Sequence, residues 1–161
     1  GIQIHFLNEL PEKAMAMVED EVRLARKAKN TEREAYTIAK VAHVKLMEGK
    51  NTEALKAFDE AIACFQQVGG KKGQAAAQLA VSEALFSSGQ HQQALNSAKD
   101  AEALYRGLHD TRNVVKSLQF QVRQWQEMGR QDVALQESHA QVKVFSEAGY
   151  KEDEAATQHE Y

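Results

Sequence analysis

The chain has 161 residues, 43% hydrophobic and 27% charged, which describes one folded domain and not a disordered segment. Its 20 basic and 23 acidic residues leave a formal charge of -3, a balance that calls for neither nucleic acid nor an anionic membrane as partner. The lone Cys64 excludes an internal disulfide framework and a multi-cysteine zinc site, and no apolar run is long enough to span a membrane. With no signal peptide in view, an intracellular, cytoplasmic setting is expected. The chain starts with Gly1 and not Met, so we expect a piece of a larger protein.

Asn8 to Pro11 predicts the start of a first helix over 11–28, because the missing N–H of proline costs nothing in a first turn. Ala14, Val18, Val22, Ala25 and Ala28 follow on one face of a 3.6-residue helix. Glu19 is placed to pair with Arg23 one turn on, while Asp20 and Glu21 have no partner at that spacing. Asn30-Thr31 breaks the pattern, and Thr31 with Glu34 reads as a capping box for a second helix over 31–48. That helix turns Ala35, Ile38, Ala39, Ala42 and Leu46 inward and ends near Gly49.

The pair then repeats. Gly49, Gly89 and Gly129 are 40 residues apart, and each is followed five residues later by Ala-Leu: Ala54-Leu55, Ala94-Leu95 and Ala134-Leu135. Helix 51–68 buries Ala54, Phe58, Ala61, Phe65 and Val68; helix 91–108 buries Ala94, Ala98, Ala101, Tyr105 and Leu108. Helix 131–148 uses Ala134, Val142, Phe145 and Ala148, with Ser138 and Gln141 as weaker positions. Helices over 71–88 and 111–128 lie between, with turns at Gly69-Gly70, His109-Asp110 and Gly149-Tyr150. Residues 151–161 occupy the slot of a further, partial helix, and a truncation there would leave Val142, Val144 and Phe145 open to another chain. No alternating β-branched run competes, so the fold is all-α. A fixed period of this length means stacked helical hairpins, each covering the apolar face its neighbour cannot cover alone. The alanines at 54, 94 and 134 stand where two helices approach closely.

Chemical motifs are sparse. Gly69-Gly70-Lys71-Lys72-Gly73-Gln74 fails the phosphate-loop pattern, having no Ser or Thr after Lys and no preceding strand; it reads as a helix end plus a turn. The six histidines make no metal-binding pair, so no metal and no cofactor are expected, and His91 and His109 read as solvated helix boundaries. The carboxylate clusters at 19–21, 59–60 and 152–154 read as solvated faces and not as acid–base pairs. Cys64 lacks a neighbouring base and reads as a semi-buried residue. No catalytic residue is assigned.

Ala54-x3-Phe58 after Gly49, with small residues at Ala61 and Ala101, resembles the second helix of tetratricopeptide repeats. Ala42 or Ser82, with Leu85-Phe86 just before a turn, resembles their first helix. The period is longer than the usual 34 residues, the terminal Pro and the first-helix Trp and Gly are missing, and one repeat alone keeps the Phe. The likeness is to the long-helix branch, as in polarity adaptors and soluble NSF attachment proteins. HEAT-like repeats share the length, but Gly-x4-Ala-Leu favours the tetratricopeptide type.

The resemblance implies a right-handed α-solenoid of about three and a half repeats. It further implies that the first helix of each pair lines a concave groove. The groove residues would be Tyr36, His43 and Met47 in the first layer, Leu79, Glu83 and Phe86 in the second, and Arg112, Lys116, Gln119, Arg123 and Gln126 in the third. Such a groove is aromatic and thioether-rich at one end and basic at the other. It suits a protein or peptide partner with apolar anchors and a carboxylate, making the chain a non-enzymatic interaction scaffold. The alternatives are self-association through open repeat ends and, more remotely, a small-ligand or peptide sensor with a closed pocket around His43 and Glu83.

Overall fold

The computed structural model describes the backbone of residues 2–159 and the side chains of residues 12–149. Among the described residues seven helices follow in order: α1 (Ile2–Lys27), α2 (Thr31–Met47), α3 (Asn51–Val68), α4 (Lys71–Ser87), α5 (His91–Gly107), α6 (Thr111–Glu127) and α7 (Gln131–His159). No strand occurs among the described residues. Each helix packs on its chain neighbour; α4 also touches α2 and α6, whereas among the described residues α1, α3, α5 and α7 make no such contact among themselves. The fold is an all-α solenoid of stacked hairpins.

The links between helices follow from backbone conformation. Gly49, Gly89 and Gly129 take φ of 76°, 75° and 74°, the left-handed region that favours glycine. The other set of links puts Lys29, Gly69 and His109 in the same region, at 53°, 67° and 55°. Among the described residues, two helix starts are capped by side chains. Asn30 Oδ1 accepts from the Arg33 N–H at 3.0 Å, and Asp110 Oδ1 accepts from the Asn113 N–H at 3.2 Å. The cap of α2 is therefore Asn30, one residue before the expected Thr31.

Two boundaries depart from the sequence pattern. The first helix begins at Ile2 and runs through Pro11, instead of starting there. At the other end, α7 passes straight through Gly149-Tyr150, where a turn was expected, and takes in most of the segment read as a separate helix. Tyr150 stands where Asn30, Gly70 and Asp110 start the earlier helices, and it has no side chain able to cap a new start.

The core follows the repeat. Ala54, Ala94 and Ala134 are buried, and Phe58 and Ile62 of α3 pack with Ala77, Ala80, Val81 and Leu85 of α4. Phe65 packs on Ala35 and Ile38 of α2. Gly73 of α4 leaves room for its ring, since a Cβ there would lie 2.2 Å from Phe65 Cε1. Ser82 fits the same close approach, its Oγ donating to the Ala94 carbonyl at 2.7 Å. The last helix differs from expectation. Val142 and Phe145 are exposed, and Val144 instead packs on the cluster of Val114, Leu118 and Tyr105. Among the described residues, no helix packs on α7 as α4 packs on α3. Val68 and Leu108, at helix ends, are also exposed. Arg23 pairs with Asp20 at 2.8 Å instead of Glu19, and Lys40 reaches Glu21 from α2 at 3.3 Å.

Candidate functional site

The helices α2, α4 and α6 lie side by side, and their shared face carries most of the expected groove. Tyr36 and His43 are exposed on α2, yet each ring rests edge-on against the core: Tyr36 on Phe65 at 4.9 Å and His43 on Phe58 at 5.0 Å. Those contacts fix the rings while leaving their polar atoms outward. Met47, at the end of α2, is 80% exposed. On α4, Glu83 is exposed and Phe86 half-buried. Leu79 is buried among Ala75, Ala101, Tyr105, Val114 and Leu118, because its position faces α5 and α6. On α6, Arg112, Lys116, Gln119, Arg123 and Gln126 are all exposed.

One cleft of about 380 Å³ brings four of these residues together. His43, Leu79, Glu83 and Lys116 line it with Lys72, Ala76, Ala80, Tyr105, Asn113 and Phe120. Its floor is apolar and its rim carries an imidazole, two ammonium groups and a carboxylate. Burial and the nearby Asp110 push the Tyr105 phenol up, so it stays a neutral hydrogen-bonding group. Arg123 lies next along the face, its guanidinium 5.2 Å from the Phe86 ring centroid and 5.8 Å from that of Phe120. Stacked this way, the guanidinium is held in place with its donors free for a carboxylate.

The remaining expected residues fall elsewhere. Arg112 and Gln119, again with Lys116, line a second cleft of about 690 Å³ between α6 and α7, beside Phe145. Tyr36 lines a third, of about 510 Å³, beside Glu21 and Lys40. Lys72, Asn113 and Phe120 were missed as lining residues. The spacing of Asn113, Lys116 and Phe120, three then four, marks a stripe as well as that of Arg112, Lys116, Gln119 and Arg123 does.

Other candidates resolve into structure. Gly69 is the left-handed end of α3 and Gly70 the start of α4. His91 is half-buried, with Nδ1 3.2 Å from Gln124 Oε1 and its ring edge on Phe86 at 5.4 Å. Cys64 is half-buried; burial, then the carboxylates of Glu34 and Glu60, push its thiol up, the opposite of an activated nucleophile. Arg26 ties those carboxylates together, at 2.6 Å and 2.5 Å. Among the described residues, no group of three His, Cys, Asp or Glu side chains is placed to hold a metal, and no helix is long and apolar enough to cross a membrane.

Comparison with known proteins agrees with the helical-repeat fold. Residues 33–107 match the model of the Tetratricopeptide repeat family. The structure is similar to BtubC (BKLC) from P. vanneervenii at 15% identity and a TM-score of 0.78, covering 88% of this chain and 59% of that one. It is similar to the TPR domain of Arabidopsis FLU at 13% identity and a TM-score of 0.66, covering 72% of this chain and 98% of that domain. The TPR-like repeats of a putative kinesin light chain from P. anserina align at 13% identity and a TM-score of 0.52, covering 91% and 92%. No curated protein sequence matches significantly. At these identities the structural likeness concerns the fold. The molecule is thus a helical-repeat solenoid. Residues 33–107 match the tetratricopeptide repeat model, and the repeat period of the chain is 40 residues. Repeats of this family generally serve as protein–protein interaction scaffolds and not as enzymes.

Proposed function

We propose that this chain is a non-enzymatic binding module whose α2–α4–α6 face receives a peptide or helix of a partner protein. The observation that carries this reading is the packing asymmetry: α4 touches both α2 and α6, while among the described residues α1, α3, α5 and α7 make no contact with one another. A stack that is closer along one side curves toward it, which makes this face the inner one. Apolar floor residues and fixed cationic groups on that face favour a partner with apolar anchors and at least one carboxylate. The rings of Tyr36 and His43 are already braced on the core, so binding costs little reorganisation. We place the module inside the cell, where the single thiol stays reduced.

The test is capture of a partner from native lysate with the wild-type chain and with an Arg123→Glu, Lys116→Glu variant, matched first for helicity and melting. The expected result is a partner held by wild type and lost by the variant. Equal capture by both baits would remove the α2–α4–α6 face from the binding site. His43 and Glu83 do share one cleft, which keeps a small-ligand reading testable: saturation by a metabolite with no effect of peptide competitors would favour it.

A further inference from the structure

The charged side chains of α4 and α6 are left unpaired. Elsewhere the described residues pair readily: Arg26 with Glu34 and Glu60, Lys45 with Glu53, Arg106 with Glu102. Helices α4 and α6 carry five basic and two acidic residues in a chain whose formal charge is -3, and among the described residues none of them is in an ion pair. Lys72 of α4 and Lys116 of α6 line the cleft of about 380 Å³, and Arg123 lies further along α6 against Phe86 and Phe120. The exposure of Lys116 and Arg123 belongs to the face and not to the end of the stack. One 40-residue period earlier their places on α4 are held by Ala76 and Glu83, which stay exposed with α6 packed beside them. On α2 the same places hold Tyr36 and His43, so the cationic array is confined to α4 and α6. Like charges without a counter-charge lower the stability of a fold, so the array answers to a ligand and not to packing.

We infer that the partner segment received by the α2–α4–α6 face is extended and carries two acidic side chains three residues apart, one seated between Lys72 and Lys116 and one on Arg123. This rests on that face being the binding face, and it specifies the charge, spacing and conformation of what binds. Arg123 stands seven residues after Lys116, about 10 Å along α6. A polyproline II segment rises about 3.1 Å per residue with three residues per turn, so side chains three apart point the same way and lie about 9 Å apart. In a strand, side chains on one face lie about 7 or about 13 Å apart, and neither spacing matches. Helices in contact, as α4 and α6 are, stand about 8–10 Å apart, so the channel between them takes an extended chain and not a helix about 10 Å across. Glu83 lines the same cleft and repels a carboxylate, which keeps the acidic pair to the two cationic positions.

The probe is a ten-residue peptide of Pro, Ala and one Leu with two Glu three residues apart, acetylated at its start and amidated at its end so that no terminal charge takes part. Titrated into the full chain by calorimetry, it is expected to bind saturably. Binding should weaken by at least about tenfold when both Glu become Gln, and by about threefold when they stand two or four residues apart. Lys72→Gln, Lys116→Gln and Arg123→Gln in the chain should each weaken it about three- to fivefold, and Glu83→Gln should tighten it. Lys56→Gln, at an exposed position of α3, should change nothing. All three variants that remove a positive charge from the face should melt no lower than wild type, which a purely structural role for these residues would not give. Equal binding of the Glu and Gln peptides, with NMR shifts at Tyr36, His43 and Phe86, overturns the inference and keeps the face as the binding face. Binding with shifts confined to α1, α3 and α5 overturns both. Failure of every spacing to bind overturns the inference, and lysate capture then decides the broader reading by itself. Tighter binding of an oligothymidylate, lost in the same variants, also overturns it and would give the array to nucleic acid.

Discussion

Gly73→Ala adds one methyl group at the tightest contact between two repeats, and its effect can be worked from the structure. The new Cβ would lie 2.2 Å from Phe65 Cε1, 2.5 Å from Cζ and 2.6 Å from Cδ1. Phe65 has nowhere to go: it is 1% exposed, packed on Ala35 and Ile38, with the Tyr36 ring on its edge. Alanine improves helix propensity by at most ~1 kcal/mol. Overpacking a filled site costs ~1–3 kcal/mol, and contacts this short belong at the upper end. The net expectation is a loss of about 2 kcal/mol, or a fall in Tm of about 4–8 °C for a domain of this size. Gly107→Ala is the control, because a Cβ there meets nothing within 4 Å; it should be neutral or stabilising by up to ~1 kcal/mol. Thermal unfolding followed by circular dichroism reads both, and Phe65→Leu in the Gly73→Ala background should recover part of the loss. A Gly73→Ala protein as stable as wild type would show that the α3–α4 contact is loose and would refute this reasoning.

Ser82→Ala removes the buried bond to the Ala94 carbonyl and should cost ~0.5–1.5 kcal/mol in urea unfolding, whereas Ser82→Leu should cost more by forcing α4 off α5. Asp110→Ala removes the cap of α6 and should lower stability by ~1 kcal/mol, with Asp110→Asn keeping most of it; chemical denaturation distinguishes the two. The raised Cys64 thiol predicts alkylation slower than for an unfolded peptide at pH 8, with the midpoint of the rate–pH profile moved upward. The linkage sign follows: the unfolded thiol ionises first, so the contribution of Cys64 to stability is lost as pH rises above the unfolded thiol value.

The fold was readable because the repeat carries it three times over. The glycines at 49, 89 and 129, with the alanines five residues on, mark turns and close approaches whose causes are local. What misled the reading were positions where the same local pattern meets a different neighbour. Phe145 follows the pattern of Phe65, but burial depends on the next helix, which periodicity in α7 itself does not encode. Pro11 and Gly149 are tolerated inside helices despite being good boundary signals, since propensity is a weak prior against the continuation of a regular helix. The groove residues were only partly legible for a related reason. A helical stripe gives an angle around one axis, and Leu79 against Glu83 is decided by how α4 is rotated between α2 and α6.

The three layers are not equivalent in stability, and the difference lies in α6. Where α4 buries Ala77, Val81 and Ala84, α6 buries Ser117, Gln121 and Gln124. Gln121 Nε2 donates to Glu102 Oε2 at 2.6 Å, but Gln124 Nε2 and Trp125 Nε1 are buried without a hydrogen-bond partner. An unsatisfied buried donor costs ~1–3 kcal/mol, so the α5–α6–α7 end carries a penalty that the α3–α4 end does not. In a stacked-repeat protein such a penalty stays local and sets where opening begins. Hydrogen exchange should therefore show the amides of α6 exchanging about tenfold faster than those of α4 for each ~1.4 kcal/mol of difference. Gln124→Leu should narrow the gap, because it removes the orphan donor while giving up only the contact with His91. Equal protection of α4 and α6, or a destabilised Gln124→Leu protein, would refute this account.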